Sequence, residues 1–222
     1  TEPLAETIKG FHNIRHRFVQ WDEALKRDAA GRKKELSEEI GWIESRRGDM
    51  LGFWSKVEEG TIPTRVTHND TKINNILFDR QGEVLCAIDL DTVMASTSLN
   101  DFGDAIRSYA NTGDEDDRDL SRVGLSLEMF RAYTEGYLSQ RAKQLTDSEI
   151  DHLAFSARYI TFEQVLRFLM DYIDGDTYYK VKYPGHNLVR THAQYRLLQS
   201  MEEHYGEMCR IVRETVDKYR KA

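Results

Sequence analysis

Apolar side chains recur every three or four residues through most of this chain, and that spacing predicts α-helices. The pattern fails between Gly60 and Asp91, so this stretch must form something other than a helix. The predicted helices cover about residues 4–27, 32–57, 100–111, 121–142, 147–173 and 187–220. Short oxygen-bearing side chains predict helix N-caps at Asn100 or Asp101, Asp119 and Asp147.

Two short apolar runs inside the interruption predict a β-hairpin. They cover residues 75–78 and 84–88 and are separated by a turn, Asp79-Arg-Gln-Gly82. Runs this apolar are typical of buried strands. No further strand is predicted after Asp91. The expected fold class is therefore α+β and mostly α-helical, with one small hairpin.

Composition limits the classes of partner. The 222 residues are 40% hydrophobic, enough to build the core of one domain or one large lobe. The net charge is -7 and the basic residues are interspersed with acidic ones, which argues against a nucleic-acid partner. No run of about 18 apolar residues and no signal pattern is present, so we expect no membrane partner and a soluble, cytoplasmic protein.

Polar side chains crowd the start of the hairpin, within the sequence THNDTKINNILFD at 67–79. We call residues 68–75 the polar loop. A hairpin brings its two ends together, so Asn75 and Asp89 should lie close enough to share a divalent cation through oxygen ligands of the kind that Mg²⁺ prefers. Asp70 lies in the same loop, where it could accept a proton from a hydroxyl group.

The spacing His-x-Asp-x4-Asn, followed by an apolar strand that ends in Asp, resembles the kinase-like phosphotransferases of the aminoglycoside and choline kinase branch. Protein kinases usually carry Arg where this chain has Asn69, and this difference favours small-molecule kinases. The amino-acid sequence of residues 67–111 is most similar to that of N-acetylhexosamine 1-kinases. The resemblance implies a protein-kinase-like C-terminal lobe.

The resemblance also implies roles for the residues of the loop and hairpin. Asp70 would be the catalytic base or the group that orients the hydroxyl, and His68 would organise the loop backbone. Apart from the resemblance, Lys72 could meet a phosphate in this loop or be only a solvated side chain. The implied magnesium ligands are Asn75 and Asp89, with Asp91 as a further candidate. The implied cofactors are ATP and Mg²⁺, and the implied acceptor is a sugar or amino sugar, in the first instance the anomeric hydroxyl of an N-acetylhexosamine.

Family members carry a nucleotide-binding lobe ahead of the polar loop. No glycine-rich loop followed by a strand lysine precedes Thr67 here, so we expect residues 1–222 to form the C-terminal lobe alone. ATP would then bind through the missing N-terminal lobe. We expect the isolated chain to be inactive.

Substrate contacts are expected from two later regions. Asp104 and Arg107 share a helix and could reach a substrate or pair with each other. Tyr178, Asn187 and Arg190 could contact a sugar ring. The acidic run at 114–117 could attract a cationic acceptor or be only a solvated loop.

Several alternatives stay open. The acceptor could be an aminoglycoside, choline or another amino alcohol. Asp89-Leu-Asp91-Thr-Val93 also fits the haloacid dehalogenase-like phosphatases, but that fold needs further strands. A non-catalytic binding module is a third possibility. Asp101-Phe-Gly103 spells the kinase metal motif, yet we interpret Asp101 as a cap or a tie to the polar loop. The six histidines other than His68 are interpreted as structural.

Overall fold

The structure, a computed structural model, describes residues 4–220, and helices dominate it. The helices are α1 Ile14–Arg27, α2 Ser37–Glu44, α3 Arg47–Glu58, α4 Ser98–Tyr109, α5 Leu127–Arg141, α6 Asp147–Ile173, α7 His186–Glu203 and α8 Tyr205–Arg220. The strands are β1 Arg65–Thr67, β2 Ile76–Phe78, β3 Val84–Ala87 and β4 Met94–Ser96. The α+β, mostly helical class expected from the sequence is confirmed.

The long helix α6 is the centre of the core. It packs against α7, α4, α8 and α1, and it is buried on almost every side, as expected for a helix without a continuous polar face. Its start is fixed by a capping box in which the Thr146 hydroxyl and the Glu149 carboxylate each bond the other residue's backbone amide. Across the described part of the chain, no helix combines the length and apolarity that crossing a membrane requires.

Glu149 also joins three elements at one buried carboxylate. Arg65 of β1 donates to its Oε1 at 2.6 Å, and Ser98 at the start of α4 donates to the same oxygen at 2.8 Å. Burial alone would raise the pKa of Glu149, but the hydrogen bonds from Arg65, the Thr146 amide and Ser98 lower it to about 2. The carboxylate therefore stays charged and holds β1 and α4 to α6.

The first predicted helix begins about ten residues later than expected. Leu4 and Ile8 are exposed and precede the helix rather than line its buried face. Gly10 has a φ of +64°, a conformation that ends regular structure, and Asn13 then caps α1 by accepting a hydrogen bond from the His16 amide. The prediction of a helix from residue 4 was wrong because apolar spacing alone does not show where a chain turns.

Two other predicted helices are each divided. The second predicted helix consists of a short turn at Lys33–Glu35, then α2 and α3, and the last one is interrupted at His204. The predicted N-caps of α4, α5 and α6 were wrong: the observed caps are the hydroxyl side chains of Thr97, Ser126 and Thr146, and α5 begins only at Leu127. Asp119 caps only the short 3-10 turn that follows it.

The hairpin is confirmed, and a second small sheet was missed. β2 and β3 pair antiparallel, with Ile76 opposite Ala87. β1 pairs with β4, with Val66 opposite Ala95, so the prediction that no strand follows Asp91 was wrong. Strands of three residues are too short for apolar alternation to be read from sequence. The β1–β4 pair closes the segment that contains the polar loop and the hairpin.

The hairpin is exposed rather than buried. Val84 and Leu85 are 64% and 63% exposed, and Phe78 and Cys86 are also exposed. The prediction of buried strands was therefore wrong for the described residues. The apolar runs form a surface beside the polar loop.

Gly103 allows the close contact between α4 and α6. A Cβ atom at this position would lie 2.4 Å from the Ser156 carbonyl oxygen, which belongs to the backbone of α6. A contact this short forces one of the two helices to move. The glycine of the Asp-Phe-Gly sequence is therefore required for helix packing.

Gly103→Ala should destabilise the protein by about 1–3 kcal/mol, because the added methyl group overpacks the α4–α6 contact. Gly136→Ala in α5 is the matched control, since a Cβ there meets nothing within 4 Å and should stabilise by about 0.5–1 kcal/mol. Urea denaturation measures both. Equal stability of Gly103→Ala and the unmodified protein would contradict the packing role.

Candidate active site

The backbone of the polar loop is anchored by one carboxylate of α4. Asp101 accepts hydrogen bonds from the His68 amide at 3.0 Å and from the Asn69 amide at 2.7 Å. Thr71 donates its hydroxyl to the Asp101 carbonyl at 2.7 Å. Burial raises the pKa of Asp101, although the two amide hydrogen bonds act in the opposite direction. The expected tie between Asp101 and the loop is confirmed.

His68 connects the polar loop to the end of the hairpin. Its Nε2 atom lies 3.0 Å from the Ile88 carbonyl oxygen, and its Nδ1 atom accepts a hydrogen bond from the Asp70 amide at 3.3 Å. An amide can only donate and a carbonyl can only accept, so the ring carries its proton on Nε2. The Thr92 hydroxyl also donates to the His68 carbonyl at 2.6 Å. His68 thus holds backbone in place.

Asp70, Lys72 and Asn75 meet at one carboxylate oxygen. Asp70 Oδ2 lies 2.7 Å from Lys72 Nζ and 2.8 Å from Asn75 Nδ2. The same Asn75 nitrogen donates to the Asp70 carbonyl at 2.8 Å. Within residues 4–220, Asp70 Oδ1 accepts no hydrogen bond. The structure therefore fixes one oxygen of this carboxylate and leaves the other available to a further donor.

The hairpin places Asp89 next to Asn75. The Ile88 amide donates to the Asn75 carbonyl at 2.9 Å, and Asp89 follows with a φ of +64°. The Asn75 side-chain nitrogen is committed to Asp70, so its Oδ1 atom is the one that could bind a cation. The carboxylates of Asp89 and Asp91 form no hydrogen bond or ion pair with any described residue.

The Asn75 amide oxygen and the Asp89 carboxylate could supply part of the coordination shell of Mg²⁺. No group of three or more His, Cys, Asp or Glu side chains in the described part of the chain could hold a metal ion. Mg²⁺ commonly binds through one or two carboxylates and completes its octahedron with water and substrate phosphates. One amide oxygen and one carboxylate from Asn75 and Asp89 fit that pattern.

A cavity of about 330 Å³ opens beside the polar loop. Lys72 lines it together with Ser108, Asn111 and residues of the acidic run. Arg107 lies at its wall and is paired with Asp104 at 2.9 Å and with Glu115 at 2.9 Å. The structure thus shows Asp104 and Arg107 pairing with each other, one of the two expectations from the sequence.

Two buried polar atoms next to Arg107 have no hydrogen-bond partner among residues 4–220. They are Asp104 Oδ2 and Gln194 Nε2, and Gln194 also lines the cavity. A buried donor or acceptor without a partner is costly, so this part of the wall is suited to a polar ligand. Nothing in the sequence marks Gln194, which comes from α7.

The acidic run is mostly neutralised by neighbouring cations. Asp116 Oδ2 lies 2.9 Å from Lys182 Nζ and 2.8 Å from His186 Nε2. The hydrogen bond from Lys182 is the largest of the effects that lower the pKa of Asp116 to about 2. Asp114 and Glu115 are the exposed members of the run, and Asp114 borders the cavity without a side-chain partner in the described residues.

The remaining candidate substrate residues lie elsewhere. Tyr178 is 72% exposed and lines a separate cavity of about 250 Å³. Asn187 is fully buried, and its side-chain nitrogen donates to Asp171 at 2.8 Å and Asp176 at 2.9 Å. Arg190 donates to Asn187 Oδ1 at 3.1 Å. The structure does not bring these three residues to the cavity that Lys72 lines.

The family model for the phosphotransferase enzyme family, APH, matches residues 1–142 of this chain. The matched region contains the polar loop, the hairpin, both small sheets and α4, so it includes all the groups gathered around Asp70. It covers more than half of the 222 residues.

Proposed function

Because the chain belongs to the phosphotransferase enzyme family, we propose that it transfers the γ-phosphoryl group of ATP, with Mg²⁺, to a hydroxyl group of a small molecule. The proposed acceptor is the anomeric hydroxyl of an N-acetylhexosamine. One observation carries the reaction class: Asp70 is bound by Lys72 and Asn75, and Asn75 is hydrogen-bonded to the hairpin strand that ends at Asp89.

In the proposed reaction Asp70 orients the acceptor hydroxyl and accepts its proton on Oδ1. The acceptor oxygen forms a bond to the γ-phosphorus, the bond from that phosphorus to the bridging oxygen breaks, and ADP leaves with the electron pair. Lys72 supplies a positive charge beside the carboxylate, where the transferred group must pass. The hydrogen bonds that the His68 and Asn69 amides donate to Asp101 keep the loop backbone fixed during the transfer.

Asn75 Oδ1 and the Asp89 carboxylate are the proposed magnesium ligands, and Asp91 is a third candidate on the turn that follows. Bound Mg²⁺ would neutralise the charge that develops on the phosphate oxygens. The protein groups need only present two oxygens from the ends of the hairpin, and the hydrogen bond between Ile88 and Asn75 holds these ends together.

We further propose that a nucleotide-binding lobe covers the hairpin. The exposed apolar residues Phe78, Val84 and Leu85 lie on the element that carries the proposed metal ligands, where the phosphates of ATP must reach. Apolar surface of this kind is normally covered by another chain segment or a ligand. Residues 1–222 would then form the catalytic and acceptor-binding lobe.

The cavity lined by Lys72 is the proposed acceptor site. Its volume of about 330 Å³ suits a monosaccharide-sized ligand, and it lies next to the residue that bonds Asp70. Gln194 Nε2 offers an unpaired donor, and Asn111 and Ser108 add polar groups. The choice of an N-acetylhexosamine rests on the resemblance of residues 67–111 to N-acetylhexosamine 1-kinases.

One observation favours a second acceptor class. Asp114 presents an exposed carboxylate at the cavity, which would attract an aminoglycoside, choline or another amine. Asp114→Asn separates the two candidates, because it should raise the KM of a cationic acceptor and leave that of a neutral sugar unchanged.

Asp70→Ala should lower turnover by on the order of a hundredfold to ten-thousandfold, because the acceptor proton loses its base. Steady-state kinetics on the natural full-length protein measures this, and circular dichroism checks that the fold is intact. Asp151→Ala removes an exposed α6 carboxylate outside the site and should leave turnover unchanged. Normal turnover in Asp70→Ala would reject the proposed mechanism.

Asp89→Asn should weaken Mg-ATP binding to the full-length protein by about tenfold or more, because a charged ligand of the metal is lost. Calorimetric titration measures the affinity, with Asp151→Asn as the matched control. The 222-residue chain by itself should bind Mg-ATP at least about tenfold more weakly than the full-length protein. Equal affinity would contradict the proposed second lobe.

The acceptor is tested with a panel of N-acetylglucosamine, N-acetylgalactosamine, an aminoglycoside and choline. We expect phosphorylation of an N-acetylhexosamine at its anomeric position, identified by loss of the reducing end. Gln194→Leu should raise the acceptor KM roughly fivefold to a hundredfold through loss of one buried hydrogen bond. Gln140→Leu, on the exposed surface of α5, should not. Preferred turnover of the aminoglycoside or choline would overturn the sugar assignment.

A further inference from the structure

We propose that His12 is a positioning residue for the polar loop: a buried imidazolium that holds the Asn69 carbonyl group and thereby fixes the direction in which Asp70 points. This inference goes beyond the proposed function and rests on it only for the catalytic role of Asp70. His12 precedes α1 and is distant in sequence from both groups that it binds.

The two ring nitrogens of His12 both face acceptors. Nδ1 lies 2.6 Å from Glu163 Oε2, and Nε2 lies 2.8 Å from the Asn69 carbonyl oxygen. A carbonyl oxygen has no proton to give, and an ionised carboxylate has none either. Arg17 donates to the other oxygen of Glu163, and the pKa of this carboxylate is lowered, so Glu163 is ionised. Both hydrogen bonds of His12 then exist together only if both of its nitrogens carry protons, which makes the ring positively charged.

The charge is paired within the core. His12 is 7% exposed and Glu163 is 1% exposed. Arg17 donates to the second oxygen of Glu163 at 3.2 Å, so one carboxylate serves two cations. Burial lowers the pKa of His12, but the adjacent Glu163 outweighs that effect and the pKa is raised. Burial likewise opposes the charge on Glu163, and His12 and Arg17 nevertheless lower its pKa to about 2.

The other ionisable groups around His12 come from two helices. Asp101 and Asp104 of α4 are close enough to interact with its charge. From α6, Arg167 interacts with Glu163, and the Tyr159 hydroxyl donates to the His12 carbonyl at 2.7 Å. Burial raises the pKa of Tyr159 well above its usual value, so this hydroxyl stays neutral. Glu163 is the carboxylate in direct contact with the ring.

The Asn69 carbonyl belongs to the peptide group that leads into Asp70. Asn69 has a φ of +64°, which is uncommon for a residue with a side chain, so neighbouring groups must hold it there. Asp101 holds its amide and His12 holds its carbonyl. Because a peptide group is planar, fixing that carbonyl also fixes the Asp70 amide, which donates to His68 Nδ1. Release of the carbonyl would let this peptide group rotate and carry the Asp70 side chain with it.

The pH dependence follows from the raised pKa of His12. The hydrogen bond to Asn69 is fully present below the pKa of an unperturbed histidine, about 6.5, and is lost as pH rises through the higher folded value. A neutral ring keeps its Nδ1 proton for Glu163, so the Nε2 lone pair then faces the Asn69 carbonyl oxygen. We expect kcat to fall on the alkaline side through this change.

The protonation state is tested directly by nuclear magnetic resonance of the histidine ring in the unmodified protein. The His12 ring should lose its second proton at a higher pH than an unperturbed histidine, whose pKa is about 6.5. The backbone amide shifts of Asn69 and Asp70 should titrate together with the His12 ring. The proposal would be overturned by a neutral His12 ring at pH 7. It would also be overturned if the Asn69 and Asp70 amide shifts did not change when the His12 ring titrates. Neither result depends on whether the protein transfers phosphate.

The effect on catalysis is tested with His12→Gln, which retains a side-chain N–H donor but carries no charge. We expect kcat to fall on the order of tenfold to a hundredfold through misplacement of Asp70, the KM values for nucleotide and acceptor to stay the same, and the alkaline limb of the kcat profile to disappear. Normal kcat with an unchanged pH profile would overturn the positioning role, even with lowered stability.

His192→Gln is the matched control. His192 also pairs with a glutamate, Glu39, at 2.9 Å, and its ring forms no hydrogen bond to the polar loop in the described residues. Its substitution should leave kcat and the pH profile unchanged. If His12→Gln does not fold, the magnetic resonance measurement on the unmodified protein still tests whether His12 is charged and bound to Asn69. If full-length protein shows no phosphoryl transfer, the proposed function fails separately from the assignment of His12.

Discussion

The polar loop depends on Asp101, whose single carboxylate binds two consecutive backbone amides of that loop. These hydrogen bonds fix residues 68 and 69 to α4, and α4 is in turn packed tightly on α6 at Gly103. A buried carboxylate is costly unless its oxygens are satisfied, and here the amides satisfy them. The placement of Asp70 therefore depends on helix packing in the core.

The loop is held from two sides. Asp101 binds its amides from α4, and His12 binds the Asn69 carbonyl from the segment before α1. The side chains of Asn69 and His68 add bonds to the strand ends, including one from Asn69 Nδ2 to the Thr92 carbonyl at 3.0 Å. Asn69 and Asp89 both have positive φ values, and they lie on either side of the hairpin. Such conformations persist only where surrounding contacts maintain them.

Charges in the core are arranged around shared carboxylates. Glu163 serves His12 and Arg17, and Glu149 serves Arg65 and Ser98. Each carboxylate has a lowered pKa despite its burial because several donors converge on it. The same arrangement at Asp116 ties the acidic run to Lys182, before α7, and to His186, the first residue of α7. The cavity beside Lys72 is therefore lined by charges that are largely paired, with Asp114 left for a ligand.

The sequence by itself determined the elements whose information is local. Helical spacing predicted the mostly helical class, two apolar runs around a turn predicted the hairpin, and the spacing from His68 to Asp89 identified the groups that meet at its ends. Tertiary structure alone decided the rest. Whether the hairpin is buried, where β1 and β4 pair, and which histidine binds the loop all depend on contacts between distant parts of the chain, such as the 151 positions that separate His12 from Glu163. The spacing of side chains along the sequence predicts which residues share a face of one helix or strand. It does not predict which helices and strands pack against each other.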